Sequence, residues 1–468
     1  MQRRATVFFI LGLASLTHGV FPNVGKRAFD SEQKDQCFCK LDGQIDDCLC
    51  NVDAVDIFNN NQLYPRLNSL LQRDYFKFFK VDLSTECPHW TDDSRCAIRY
   101  CHVEKCEEAD IPPGLKGASE NQSNRNKYSD QAQSPPESCD TDKELGYLNT
   151  TISDAAHAGF IEWEQHDDAT DNFCDESSYL SPNATYVDLS LNPERYTGYK
   201  GESAHRIWNA IYKENCFRPK ATTFTSYIEN SKLNDMCLEK RSFYRVLSGL
   251  HSSINIHLSA RYLLSDKSSL GMPSPSGTWG PNLDEFYRRF SPEHTDGEGP
   301  NWLQNLYFVY LLEMRAIAKA APYLQREPYF TGDSEEDKMV AKAVEDILKT
   351  IKSFPHHFNE STMFNGGKQA AKLLSEFKQH FRNISKIMDC VGCDKCKLWG
   401  KLQTQGLGTA LKILFSGRFN QIIKNMDISN ASRTEFQLHR MEIVSLFNAF
   451  GRLSTSIYEL ENFRNMMR

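Results

Sequence analysis

What this chain lacks narrows the field. Past residue 19, no stretch approaches the run of about eighteen apolar residues that a membrane helix needs, so the body of the chain reads as soluble. Basic residues are not in excess: 54 Lys and Arg face 61 Asp and Glu, a net charge of -7 that gives no footing for nucleic acid. No Gly-x-Gly-x-x-Gly follows a strand-like run, so a Rossmann nucleotide site is not indicated. Alternating apolar and polar runs are scarce, which argues against a sheet-built fold. The last residues, Asn465-Met466-Met467-Arg468, are not a Lys-Asp-Glu-Leu type retrieval signal.

Cysteine, by contrast, is plentiful, and the compartment decides what the 15 cysteines do. Arg3-Arg4 followed by the apolar run Val7 to Ala14 reads as a secretory signal peptide over residues 1–19. Acceptor sequons at Asn121, Asn149, Asn183, Asn359, Asn383 and Asn430 agree with a luminal route. Cysteines pair in an oxidising lumen, and an odd number leaves at least one thiol over, for which Cys174 is the candidate. With 40% hydrophobic and 12% aromatic residues the chain can build a core without many staples, so some of its cysteines are expected to be redox-active.

The stretch richest in chemistry is Cys390-Val-Gly-Cys393-Asp-Lys-Cys396, which runs into a helical pattern from Leu398. Cysteines three apart on a helix share a face, so Cys393 and Cys396 can close a small, easily opened disulfide. A helix N-terminus also lowers the pKa of a thiol placed there. Gly400, Gly406 and Gly408 are poor helix formers, and one use for them is close approach of a flat ligand. Cys390 opens a metal or iron–sulfur reading, but a fourth nearby thiol is missing and no metal is expected.

Other cysteines fall into three groups. Cys37, Cys39, Cys48 and Cys50 flank an Asp-Gly turn and suit nested bridges, Cys37 to Cys50 and Cys39 to Cys48; their spacing is too tight for an ordinary zinc site. Cys87, Cys96, Cys101 and Cys106 lie in a polar segment, followed by a low-complexity stretch from Gly117 to Ser138 and then Cys139. This reads as a mobile loop in which Cys96 and Cys101, beside Glu104, Glu107, Glu108 and Asp110, form an exposed dithiol that reaches a partner. Cys216 and Cys237 bracket a polar insertion and read as a staple.

Helical periodicity covers Asp53 to Lys80, Leu238 to Leu264, Trp302 to Ala320, Lys338 to Phe354, Gly367 to Asp389 and Glu435 to Arg464, with a polar loop over Ser265 to Pro281. The fold class is mainly α. Between the helices, Asn192-Pro-Glu-Arg195-Tyr-Thr197-Gly-Tyr-Lys-Gly201 offers a cation, a hydroxyl and aromatics suited to phosphates and a ring, and Ser248 and His251 share a helix face.

Taken together, these motifs resemble the endoplasmic reticulum oxidoreductin-1 family in its animal form, over essentially the whole mature chain. The resemblance implies a single helical domain over residues 20–468, a bundle enclosing FAD with a flexible regulatory loop at about 87–139. It implies a thiol oxidase that reoxidises protein disulfide isomerase in the endoplasmic reticulum lumen, with molecular oxygen as acceptor and hydrogen peroxide as product. Cys393 and Cys396 would be the inner pair, and Cys96 and Cys101 the shuttle pair. Cys87 would pair with Cys390, and a resting state would hold Cys96–Cys139 and Cys101–Cys106. Arg195, Thr197, Trp208, Ser248, His251 and Arg289 would contact FAD. Retention would fall to a partner protein or to peripheral association with the luminal membrane face.

One departure stands out. Vertebrate relatives follow Gly-Glu-Gly-Pro with a basic pair, whereas Gly297-Glu-Gly-Pro300 is followed here by Asn301 and Trp302, so weaker or rearranged cofactor binding is expected. The rival reading is a disulfide-rich secreted binding protein without redox turnover. It accounts for the sequons and staples but not for Cys-x-x-Cys-x-x-Cys.

Overall fold

The computed structural model describes residues 38–90, 100–116, 173, 177–214, 236–267, 273–355, 358–365, 368–416 and 438–468. The signal peptide, Cys37, Cys96, Cys139, Cys174 and Cys216 lie outside them. Phe38–Arg468 cluster as one unit.

Among the described residues the principal helices follow in order: α1 (Val52–Phe58), α2 (Tyr64–Leu71), α3 (Glu202–Lys213), α4 (Leu238–Ala260), α5 (Leu283–Phe290), α6 (Gly299–Leu324), α7 (Ser334–Ser353), α8 (Lys368–Ile387), α9 (Asp394–Phe415) and α10 (Arg440–Met466). The centre is a layer of α4, α6, α9 and α10, packed α4 on α6 and α9 on α10. A helix that buries residues all round belongs in a core, and α10 buries every residue from Met441 to Ser454. Small residues allow the close packing. A Cβ on Gly406 would run into the Ser445 carbonyl and the Ala449 Cβ of α10, and one on Gly249 into the Asn305 carbonyl of α6. Gly406 is therefore a packing glycine, not an approach for a ligand.

The amphipathic α7 opens on an Asp333 cap that accepts from Glu335 and Glu336 N–H, and buries Val340, Val344, Ile347, Leu348 and Ile351. Arg464, near the end of α10, ties three elements together. It pairs with Asp56 of α1, donates to the Tyr307 hydroxyl of α6 at 2.9 Å and donates to the Cys39 carbonyl at 2.8 Å. Among the described residues, no helix is long and apolar enough to cross a membrane.

Two small sheets depart from the expected pattern. The Asp53 to Lys80 helix is interrupted, and Phe78–Val81 form β1, antiparallel to β2 (Thr185–Asp188) with Phe78 opposite Asp188. Helix α4 stops at Ala260, and Tyr262–Lys267 (β3) pairs antiparallel with Pro273–Gly280 (β4) where a loop was expected. Aromatic and branched residues at 78–81 and 262–264 suit a pleated edge as well as a helix, and tertiary pairing decides between them.

Three expected staples are corrected. Cys48 and Cys50 are thiols, so neither nested bridge is present. Backbone bonds hold that turn instead, Ile45 N–H to Cys50 O at 2.8 Å and Cys48 N–H to Ile45 O at 3.0 Å. Burial pushes both thiols up, that of Cys50 to about 11. Cys237 is an exposed thiol where an extended backbone starts α4.

The sequons also divide. Asn183 and Asn359 are exposed, whereas Asn383 is 1% exposed on α8 and donates to Glu214 at 3.0 Å, which removes it as an acceptor in the folded chain. Asn121, Asn149 and Asn430 lie outside the described residues.

Gly406→Val is expected to destabilise the chain by about 1–3 kcal/mol, the usual cost of forcing side-chain atoms into a packed core. A lower denaturation midpoint checks it.

Candidate active site

The site is built on the first turn of α9. Cys393 is its N-cap residue in extended backbone, with φ -104 and ψ 113, and Cys396 follows one turn on. The first turn of any helix leaves N–H groups without intrahelical partners. Here the Lys395 N–H is taken by the Cys101 carbonyl at 2.9 Å. Just upstream, Met388–Cys390 form a short 3₁₀ turn, and Cys390 is joined to Cys87 by a disulfide. Buried lysines of α9 hold both sides of that bridge: Lys397 donates to the Leu83 carbonyl at 3.3 Å, ahead of Cys87, and Lys401 pairs with Asp389 beside Cys390.

Cys101 is joined to Cys393. This connectivity stands in place of three expected pairs, Cys96–Cys101, Cys101–Cys106 and Cys393–Cys396, and leaves Cys106 and Cys396 as thiols. Each sulfur holds one partner, and the path of the segment explains the choice. Residues 101–106 run without a turn, tied at one end to Lys395 and at the other by the Cys106 N–H to Tyr186 O at 2.9 Å. Cys106 packs against Phe78, Leu115 and Tyr186. Cys101 is also buried, 5% exposed, so it is not the exposed half of a dithiol in this state.

The Thr197 hydroxyl lies between the inner sulfurs, 3.3 Å from Cys396 and 3.5 Å from Cys393. Burial pushes the Cys396 thiol up to about 11, while the Thr197 hydrogen bond and the Lys395 ammonium pull the other way. At Cys396 desolvation outweighs the favourable contacts, and Cys393, the N-terminal thiol of the pair, is held in a disulfide.

Behind Cys396 opens a cavity whose space, the solvent at its open mouth included, is about 1030 Å³. Of the six residues expected to contact a cofactor, Arg195, Thr197 and Trp208 line it. His251 stands behind Trp208, with ring centroids 3.5 Å apart, and its Nδ1 meets the Tyr212 hydroxyl at 3.0 Å. Ser248, a turn earlier on α4, accepts from the Asn305 amide at 2.9 Å. Arg289 donates to Asn255 at 2.6 Å and pairs with Glu285 at 3.3 Å. Burial and the neighbouring Arg289 bring the His251 imidazole down to about 3, so it is neutral across the physiological range.

The set fits a flavin nucleotide. Flat rings are available for stacking, and Arg195 and Arg289 each keep a buried Nε without a hydrogen-bond partner. Among the described residues, no group of three or more His, Cys, Asp or Glu side chains could hold a metal ion.

Several residues around the site escaped the sequence reading. Trp399, Gln403 and Thr404 of α9 line the cavity, as do Glu194 and Arg452. Glu194 takes both Nε and Nη2 of the buried Arg452, whose guanidinium lies 6.0 Å from the Trp399 ring. Glu194 sat inside a motif already singled out, but Arg452 lies on an almost uniformly buried helix where periodicity carries no signal. Trp302 is not in the cavity wall; its carbonyl accepts from Ser252 at 2.8 Å at the start of α6.

A family model described as Endoplasmic Reticulum Oxidoreductin 1 matches residues 62–460. An Ero1-like protein of Drosophila melanogaster is 54% identical over 451 residues, 94% of this chain and 92% of its own. The human ERO1-like protein alpha is 47% identical over 480 residues, covering 98% of each chain. Solved structures of Ero1p from S. cerevisiae superpose with a TM-score of 0.55 at 29% identity, covering 88% of this chain and 97% of theirs. One Ero1p structure is described as the source of disulfide bonds for oxidative protein folding in the cell.

In the state seen here, alkylation of Cys396 is expected to accelerate about tenfold per pH unit between pH 7 and 10, because only the thiolate reacts and its pKa is about 11. Peptide-resolved alkylation rates check this; a plateau below pH 9 contradicts the assignment.

Proposed function

This chain belongs to the endoplasmic reticulum oxidoreductin 1 family and is a thiol oxidoreductase, and we propose that it is an FAD-dependent thiol oxidase that reoxidises protein disulfide isomerase in the endoplasmic reticulum lumen. The observation that carries the reading is the Cys101–Cys393 bond, which joins the proposed shuttle pair to the proposed inner pair.

The exchange runs in balanced steps. A thiolate of reduced isomerase attacks the Cys96–Cys101 disulfide, and its second thiol resolves the mixed disulfide, leaving Cys96 and Cys101 reduced. The Cys101 thiolate then attacks Cys393 Sγ, the Cys393–Cys396 bond breaks and Cys396 leaves as thiolate. That is the connectivity present here. The Thr197 hydroxyl, within reach of both sulfurs, donates to the one that carries charge. Attack of Cys96 on Cys101 restores the shuttle disulfide and releases Cys393 as the second inner thiol.

Arg195, Thr197, Trp208, Ser248, His251 and Arg289 would hold FAD. Bound there, FAD supplies the two-electron acceptor that reoxidises the inner pair and passes the electrons to molecular oxygen, giving hydrogen peroxide. The chain's own contribution is to exclude water around Cys396, to keep His251 neutral and to present Arg195 and Arg289 to phosphates. Cys87–Cys390 would hold the shuttle segment against α9. Cys96–Cys139 and Cys101–Cys106 would form a resting state from which Cys101 must be released. Retention would rest on a partner protein or on peripheral association with the luminal membrane face.

Purified protein is expected to show a flavin absorption band that bleaches under nitrogen on adding reduced isomerase and returns with air. Cys393→Ala and Cys396→Ala are expected to abolish oxygen consumption, and Cys139→Ala to raise it by freeing Cys96. Unchanged turnover in the inner-pair variants would overturn the reading.

A further inference from the structure

The segment that delivers Cys101 is held by something other than sulfur. Asn192 is 1% exposed, and its side-chain amide pairs with both backbone groups of Glu104. Asn192 Oδ1 accepts the Glu104 N–H at 2.8 Å, and Asn192 Nδ2 donates to the Glu104 carbonyl at 2.8 Å. The same Nδ2 donates to the Asp188 carbonyl at 3.0 Å, which anchors the amide to the end of β2. A single side chain thus acts as a strand partner for the residue midway between Cys101 and Cys106. Its neighbours on the segment are fixed as well: the Tyr100 ring packs edge-on against Trp279 at 4.8 Å, and Cys101 and Cys106 are tied through their backbones as described.

We propose that Asn192 is a positioning residue for transfer from Cys101 to Cys393. By holding Glu104 it keeps residues 101–106 extended along β2, so that Cys101 reaches α9 and cannot fold back onto Cys106. A disulfide needs its two Cα atoms within about 7 Å, whereas five extended residues span roughly 16–18 Å. Closing Cys101–Cys106 therefore requires releasing an end of the segment, and the Asn192 clamp sits at its middle. Asn192 also touches the cavity: its backbone carbonyl accepts the Trp399 indole N–H at 2.9 Å, and Trp399 lines the space behind Cys396. One residue therefore fixes both the delivered thiol and a wall of the cavity. The inference rests on the reading of Cys101 as the relay to Cys393.

The test is a disulfide isomer ratio that needs no turnover, so it stands apart from whether the chain oxidises an isomerase. The full chain carrying Cys96→Ser, Cys139→Ser and Cys396→Ser leaves Cys101 a choice of Cys393 or Cys106 within its segment and site. Exchange between them breaks one sulfur–sulfur bond and forms another, with no net electron transfer. After equilibration with a trace of glutathione, acid quenching and alkylation, peptide mapping reads the two isomers. Asn192→Asp keeps size and acceptor but loses the donor, and is expected to shift the ratio about tenfold toward Cys101–Cys106, the effect of one or two lost hydrogen bonds. Glu104→Pro removes the donated N–H from an exposed residue and leaves the buried amide in place, so it decides the matter if Asn192→Asp fails to fold. Glu104→Gln keeps both backbone groups and is expected to leave the ratio unchanged. A ratio within twofold of the parent in Glu104→Pro, or an equal shift in Glu104→Gln, overturns the proposal. So does a variant that melts earlier without moving the ratio, since that is what a merely structural amide would do.

Discussion

The arrangement depends on one covalent constraint, the link between Cys87 and Cys390, which closes a sequence separation of 303 residues. In the chain-entropy account such a closure removes about 5–6 kcal/mol of freedom from the unfolded chain. Its more interesting effect is local. With Cys87 held at Cys390, Cys101 is fourteen residues from one side of the bridge and Cys393 three from the other. The second link, whose own separation is 292 residues, then closes an effective loop of about seventeen residues, at roughly half the entropic cost. On the proposed reading, a structural bridge would in this way raise the effective concentration of an exchanging one. The lysines on α9 reinforce it, since Lys397 grips the backbone at Leu83 just before Cys87.

Burial sets the second condition. Dry surroundings push the Cys396 thiol up to about 11, which alone would make it a poor nucleophile and a poor leaving group. The contacts that oppose this are a hydroxyl and an ammonium from different elements, Thr197 and Lys395. Burial also pulls the Lys395 ammonium below its ordinary value, so the pair is a desolvated cation beside a desolvated thiol. Charge formed on Cys396 during exchange would be stabilised by groups already in place, in a medium where such contacts count for more than in water. The neutral His251 and the Glu194–Arg452 pair extend that fixed polarity around the cavity.

Much of this was legible in the residues, and the parts that were not share a cause. The helical class, the inner Cys-x-x-Cys and the Arg195 to Thr197 segment announce themselves through periodicity and motif. The strands at 78–81 and 262–267 did not, because short aromatic and branched runs serve either period and only pairing across the chain decides. Arg452 was silent for the opposite reason: α10 is buried on every side, so no face distinguishes a cavity-lining residue from a packing one. Disulfide partners were the least legible feature of all. The thiols at Cys48, Cys50 and Cys237 show that even an oxidising reading of the composition does not settle pairing, since spacing constrains reach but not which state of an exchanging set is occupied.

The tryptophan at 302 shows how a departure from a motif is absorbed. At the position where the family resemblance implies a basic pair, Trp302 turns its carbonyl to Ser252 on α4, and one turn later Asn305 donates its amide to Ser248. This edge of α6 is therefore bound to α4 by neutral hydrogen bonds and by the Gly249 contact with the Asn305 backbone, an approach that tolerates no added Cβ. Such packing fixes Ser248 and His251 through α4 without help from a charge at the start of α6. On the proposed reading, the phosphate-directed charge would then fall to Arg195, which lies over the Trp279 ring at 4.6 Å, and to Arg289, held by Asn255 and Glu285. Arg195 shares Trp279 with Tyr100, the residue before Cys101. On the proposed reading, the charge offered to a phosphate would therefore stand on the same aromatic platform that packs against the segment carrying Cys101, so cofactor binding and thiol delivery would draw on a common support.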